Sequence, residues 1–246
     1  DEQGRLRDTR FERTVIRSRH RLAYEDAQEV LDAQVTIDPE VDEALRVLSR
    51  LARQLRARRE TRGSIDFDLP EARVVLGADG EPVDIVRVER LEAHRLIEDF
   101  MLLANEVVAR TATDRKLPIL YRIHEKPSPQ KSDDLREFLA TLGYRVPKGS
   151  LKPADLQNVL EQVRDRPEEQ LVSTVVLRSM QRARYSPENE GHFGLALNHY
   201  AHFTSPTRRY PDLVTHRAIV RALVEKQPIP EEWAEELQEA AEHSSW

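Results

Sequence analysis

The chain has 246 residues, 39% hydrophobic and 33% charged, with a formal charge of −6 at neutral pH; this is enough for one large domain or two modest ones with a sizeable core. The absence of cysteine excludes a disulfide-stapled secreted fold, a Cys-ligated zinc site and a cysteine nucleophile. The longest apolar run, Phe100 to Ala104, is far short of the ~20 residues of a membrane helix.

In chain order, residues 8–20 alternate in the manner of a strand, with Phe11 and Val15 set among charges, and Ala23 to Leu31 turns helical. Residues 40–61 place Val41, Leu45, Leu48, Ala52 and Leu55 at helical spacing, predicting an amphipathic helix with its arginines on the outer face and Gly63 as its stop. Ile65, Phe67 and Leu69 alternate with Ser64, Asp66 and Asp68 up to Pro70. Val74 to Leu76, the turn Ala78-Asp79-Gly80 and Val83 to Val88 read as a β-hairpin. A long helix is expected from about Leu91 to Arg110, with Met101 to Leu103 in the core, then a short strand over Ile119 to Ile123. Ser132 is placed to cap a helix running to Leu142 and stopped by Gly143; helices near 153–164 and 167–182 open on Pro153 and Pro167. After a loop at 186–191, Phe193 to Phe203 reads as a strand. Ser205-Pro206 then opens a helix to about Glu225, and a last helix follows from Pro230 to His243. The fold class is α+β and helix-rich, with a mixed or antiparallel sheet packed by helices.

The charge is uneven. Residues 225–246 hold seven glutamates against Lys226, so the whole net charge sits in this acidic helical tail. Arg46, Arg50, Arg53, Arg56, Arg58, Arg59 and Arg62 against Glu60 form a basic stripe, which leaves a polyanion partner open. Charge alone favours a solvated helix face.

The densest polar constellation is Thr204 to Arg217. Ser205 suits an N-cap and Pro206 a first helical residue, which would present free N–H groups and a positive dipole end beside Arg208 and Arg209. Both guanidiniums there are suited to gripping phosphate. Arg209, Asp212 and His216 would share a face; the plain alternative is a capped helix with an internal Arg–Asp pair. His199 and His202, three apart on a strand, point to opposite faces and so share no ion, and Asp66 and Asp68 read as solvated acids.

This stretch resembles the RNB domain of the RNase II/RNase R family of processive 3′→5′ exoribonucleases, more closely on the RNase R side. The resemblance is carried by His192-Phe193-Gly194-Leu195-Ala196-Leu197, Tyr200 and Phe203 to Arg217. Arg21 to Tyr24, Arg62 to Phe67, Ala93 to Asn105, Tyr121 to Pro127 and Leu177 to Met180 match in the same order. It implies that Arg208 is the catalytic arginine on the scissile phosphate. It also implies that Glu98, with Asp99 beside it, orients the terminal nucleotides, that Tyr24 contacts the RNA backbone or sugar, and that Phe67 is one side of a base clamp. His192, Arg209 and Tyr210 support RNA binding. The partner implied is single-stranded RNA, with no membrane, and the protein is expected to be a monomer.

The resemblance also implies a magnesium cofactor held by an aspartate cluster that would lie upstream of Asp1, and no such cluster occurs in this chain. The chain is therefore expected to be the C-terminal portion of one RNB domain, truncated at both ends and inactive alone. The missing initiator methionine agrees with a piece of a longer polypeptide, and the lack of a signal pattern points to a cytoplasmic location. The competing expectations are a non-catalytic RNA-binding module of RNB-derived fold, and a plain structural fragment.

Overall fold

The computed structural model describes residues 1, 3–67, 71–77 and 79–245. The expected strand end at Asp68, Leu69 and Pro70, the first turn residue Ala78, and Trp246 lie outside the described residues. Helices α1 (Tyr24–Leu31) and α2 (Pro39–Thr61) come first, then the hairpin β1 (Glu71–Leu76) and β2 (Pro82–Val88) and the long helix α3 (Glu92–Asp114). Strand β3 (Tyr121–Ile123), helices α4 (Pro129–Thr141), α5 (Pro153–Val163) and α6 (Glu169–Ser179), and strand β4 (Arg184–Ser186) follow. Helix α7 (Tyr210–Ile219) runs into one wider π turn, Val220–Val224, before α8 (Glu232–Ser245). The fold is helix-rich with two small antiparallel sheets, β1–β2 and β3–β4.

Helix α2 starts where Asp38 accepts the N–H groups of Glu40 (2.9 Å) and Val41 (3.3 Å) and Pro39 supplies a ready-made φ. It stops at Gly63, at φ +85°, where the N–H groups of Gly63 and Ser64 return to the carbonyls of Glu60 and Arg59. Helix α3 outruns its expected end by four residues. The Thr111 and Thr113 hydroxyls bond back to the carbonyls of Val107 and Ala109, while Ala109 and Ala112 pack under β3.

Several expectations fail for local reasons. Residues 8–20 form no strand and pair with none among the described residues, leaving Val15 and Ile16 at 102% and 88% exposure. Ser128, not Ser132, caps α4; Ser132 lies one turn in and bonds back to the Ser128 carbonyl. Pro167 sits in the turn before α6 rather than in its first turn. Ser64 to Phe67 form no strand, although Ile65 N–H donates to the Gly194 carbonyl.

The largest core cluster joins α4, α5 and α6 around Leu139, Leu156, Val163 and Val176, closed by Ile65, Tyr144 and Phe193. A second lies between α3 and β3, and a third sets Leu120 and Tyr185 against Leu237 and Ala241 of α8. The hairpin stands outside all three: Val74 and Ile85 face each other across the strands, and both are exposed, as are Leu76 and Val83.

Gly63 and Gly143 share φ +85°, but a Cβ at Gly63 would lie 2.5 Å from the Ala154 Cβ on α5, whereas at Gly143 it meets open space. Gly143→Ala should cost about 1–2 kcal/mol from the left-handed backbone alone. Gly63→Ala should cost clearly more, because α2 and α5 must part. Urea unfolding of the two variants checks the order.

Candidate nucleic-acid interface

The stretch expected to be a helix N-terminus at Ser205 is a turn. Within a helix begun at Pro206, Pro211 would remove an i→i−4 hydrogen bond and clash with the preceding turn, so α7 starts only at Tyr210 with Pro211 in its first turn. Arg209 occupies the cap position in an extended conformation, and Ser205 is not the cap. The Ser205 carbonyl instead accepts the N–H groups of Arg208 (3.2 Å) and Arg209 (3.1 Å). This places Arg208 at the exposed crest of a tight turn.

That turn is tied from beneath. The fully buried carboxylate of Asp212 accepts the Ser205 N–H at 2.8 Å and the Arg209 guanidinium at 2.7 Å. His216 bonds the Phe203 carbonyl through Nε2 at 2.8 Å, and its ring lies flat on Phe203 with centroids 3.9 Å apart. From α3, the Asn105 amide donates to the Tyr200 hydroxyl (3.2 Å) and accepts the Phe203 N–H (3.0 Å). Tyr185 on β4 bonds His202 Nδ1 at 2.7 Å, and the Arg122 guanidinium lies 4.7 Å over the Tyr185 ring. Sequence reasoning gave no role to Asn105, Arg122 or Tyr185. The available signal was spacing on α3, where Glu98 and Asn105 are seven residues apart and so share a face.

Phe193 to Phe203 is not a strand either. It is a pair of tight turns in which His192 and Leu197 exchange backbone hydrogen bonds of 2.7 and 3.2 Å. The opposite-face reasoning about His199 and His202 therefore does not apply. His199 is held by Asn189 at 2.7 Å and His202 by Tyr185. His192 and His124 accept the N–H groups of Leu195 and Gly194 through Nδ1, so both fold the loop from within. Burial lowers His124, pushes His192 down to about 3 and His202 down to about 4, from an ordinary 6.5.

Of the remaining sequence-predicted residues, Tyr24 and Glu98 lie along α3, while Phe67 and Tyr210 sit on other elements. Tyr24, the half-exposed first residue of α1, stacks on His94 of α3 with centroids 4.1 Å apart. Gln28 on the same short helix accepts the Ala93 N–H at 3.1 Å. Glu98 is half-exposed and pairs with Arg90 at 2.5 Å; Arg90 also holds Asp66 at 3.0 Å, next to Phe67. Phe67 itself packs on the rim of the α4–α6 core. Tyr210 is half-exposed over a small cleft with Trp233 and Arg217. Asp99 belongs elsewhere: it is buried between Arg59 (2.7 Å) and Arg56 (3.0 Å), while Glu92 and Glu106 take Arg56 and Arg62. The outer-face expectation for the arginine stripe is thus wrong for Arg56 and Arg59, which turn inward because α3 offers acids at 92 and 99, whereas Arg62 meets Glu106 at the surface.

The profile of the RNB domain matches residues 1–225. The chain belongs to the RNB domain family. It is 45% identical over 249 residues to Ribonuclease R of Aquifex aeolicus (strain VF5), covering all of this chain and 35% of that protein. To Ribonuclease R of Escherichia coli (strain K12) it is 42% identical over 229 residues, covering 92% and 28%. The solved Mycoplasma genitalium RNase R in complex with ribose methylated single-stranded RNA superposes with a TM-score of 0.84 at 28% identity, over 90% of this chain and 36% of that one. Yeast Ssd1, a pseudonuclease, shares the fold at a TM-score of 0.67 and 22% identity. The chain spans about a third of the length of these relatives.

Within this RNB domain chain, no group of three or more His, Asp or Glu side chains among the described residues is arranged to hold a metal ion. Asp212, beneath the turn, spends one carboxylate oxygen on Ser205 and Arg209 and has no second acid grouped with it, so the residues present do not supply the oxygen cage magnesium takes. No helix among the described residues is long and apolar enough to cross a membrane.

The depressed histidines set a pH dependence. Above pH 6.5 they are neutral folded and unfolded alike; as pH falls below 6.5 the unfolded chain takes up protons first, and stability drops on the way to pH 4 and then 3. At pH 5 each should cost about 1–2 kcal/mol relative to pH 7. His192→Gln and His202→Gln should each narrow the difference between urea midpoints measured at pH 7 and pH 5.

Proposed function

We propose that this chain is the RNA-holding part of an exoribonuclease of the RNase R type, which hydrolyses RNA from its 3′ end to nucleoside 5′-monophosphates. The observation that carries the reading is Arg208. Its neighbour Arg209 is consumed by Asp212, whereas Arg208 is exposed, free of any ion pair among the described residues, and mounted on a turn fixed from two helices. A guanidinium with no carboxylate to satisfy it, carried on a backbone already fixed, is suited to a phosphate, and binding costs only the ordering of its own side chain. Glu98 and Phe67 would steady the terminal nucleotide and Tyr24 the sugar, with His94 stiffening the tyrosine ring. The magnesium chemistry of the parent enzyme is assigned to residues outside this chain, so the isolated chain binds RNA as a monomer and does not cut it. Family membership and the likeness to an RNase R solved with single-stranded RNA support this reading. The shared fold of a pseudonuclease keeps a non-catalytic RNA-binding module as the second reading.

Fluorescence anisotropy with labelled oligouridylate at several salt concentrations tests the binding. Arg208→Ala should weaken it about tenfold and reduce the slope of log K against log salt by about 0.7, the loss of one phosphate contact to a single strand. Unchanged affinity would remove Arg208 from the interface. With magnesium and single-stranded RNA, the chain should release no 5′-monophosphate, and release above a no-protein control would defeat the claim of inactivity. Adding the missing portion of the parent chain distinguishes the two readings: recovered cleavage identifies the enzyme, and its absence in an intact parent identifies the module.

A further inference from the structure

We propose that Asn105 is the positioning residue through which α3 sets the place of Arg208, a role that rests on Arg208 being a phosphate contact. Asn105 is buried in the second half of α3, and both ends of its amide are used, the nitrogen on the Tyr200 hydroxyl and the oxygen on the Phe203 N–H. A side-chain amide offers a donor and an acceptor in one plane, which fixes the two loop positions relative to each other. Of the other ties on this loop, His216 to the Phe203 carbonyl and Asp212 to the Ser205 N–H come from α7, the helix the loop itself leads into, while Tyr185 of β4 holds His202 and the Arg122 N–H of β3 donates to the Tyr200 carbonyl. Asn105 is therefore the tie that references the Phe203 end of the turn to α3, and it is the one that acts on Phe203 itself from outside α7.

That element also carries Glu98 and the His94 ring on which Tyr24 stacks. His94, Glu98 and Asn105 lie at steps of 0, 4 and 11 along α3, within about 40° of one another around the axis and about 16 Å from first to last. His94 backs the Tyr24 ring and Glu98 faces Arg90. Asn105 thus registers the phosphate arginine against the sugar-contacting tyrosine along one rigid rod. Its action is indirect, since it presents no free polar atom to a ligand.

Two readouts on the full chain test this. Tryptic cleavage after Arg208 reports how firmly the turn is held without reference to RNA, and oligouridylate affinity reports the consequence. In Asn105→Leu, cleavage after Arg208 should be about tenfold faster. Affinity should fall by about the same factor as in Arg208→Ala, and the double variant should bind no more weakly than Arg208→Ala alone. Asn105→Asp keeps an acceptor for Phe203 and can take a hydrogen from Tyr200, so it should restore most of the protease resistance. Unchanged cleavage in a folded Asn105→Leu chain, or affinity losses that multiply in the double variant, would overturn the role of Asn105 while leaving Arg208 as a phosphate contact. An Arg208→Ala chain that binds RNA as well as the native one overturns the phosphate reading, and this proposal with it. If Asn105→Leu does not fold, Asn105→Ser, too short to reach either partner, carries the same comparison.

Discussion

Helix α3 is the constraint on which the rest of the molecule depends. Twenty-three residues of α-helix make a rod about 35 Å long, and this one presents different chemistry at different angles. One edge, at 92, 99 and 106, offers carboxylates to the arginines of α2. Another, at 94, 98 and 105, reaches Tyr24, Arg90 and the Phe203 loop. Its last turns pack alanines under β3. A helix holds such faces apart by its own hydrogen bonds, so elements far apart in sequence meet the same frame. The long-range order of the candidate interface is in this sense local order within a single helix.

The division between acids facing α2 and polar groups facing the interface also explains the electrostatics. Asp99 is buried with two guanidiniums against it, an arrangement in which desolvation offsets much of the Coulombic gain. Such a pair contributes less to net stability than to register: removing either side leaves an uncompensated charge in the interior, so α2 can dock on α3 in one alignment. Two of the seven arginines of the stripe, Arg56 and Arg59, are thereby spent inside the protein. The positive charge that remains useful is a matter of which arginine lacks a partner, and the composition of the stripe does not say.

Helices were legible where period and punctuation agreed. Gly63 and Pro153 marked ends that the structure keeps because glycine turns and first-turn prolines are settled within a few residues. The hairpin was legible for the same reason. What failed depended on distant partners. Residues 11–16 alternate like a strand, but a strand needs a neighbour, and alternation does not supply one. Phe193 to Phe203 looked apolar enough for a sheet, yet only Tyr200 and Ala201 meet β3, and its other backbone bonds go to Ile65, His124, Asn105 and its own turn. At Ser205 the N-cap signal was sound chemistry at the wrong place, because Pro211 vetoes an early start to α7 and Asp212 claims the Ser205 N–H. Motif order carried the family, and with it the naming of Arg208; the reason Arg208 is free while Arg209 is not became visible only from Asp212.

The hairpin has a consequence for the chain in solution. Two strands carrying Val74, Leu76, Val83 and Ile85 in the open, with both outer edges unpaired among the described residues, form a template for further strands. A two-stranded ribbon is marginal on its own in water, so its amides exchange with solvent sooner than those of α3, and molecules that meet edge to edge gain hydrogen bonds that neither has alone. Any pairing of copies through this ribbon would grow with concentration, and dilution or added charge on its open face would oppose it.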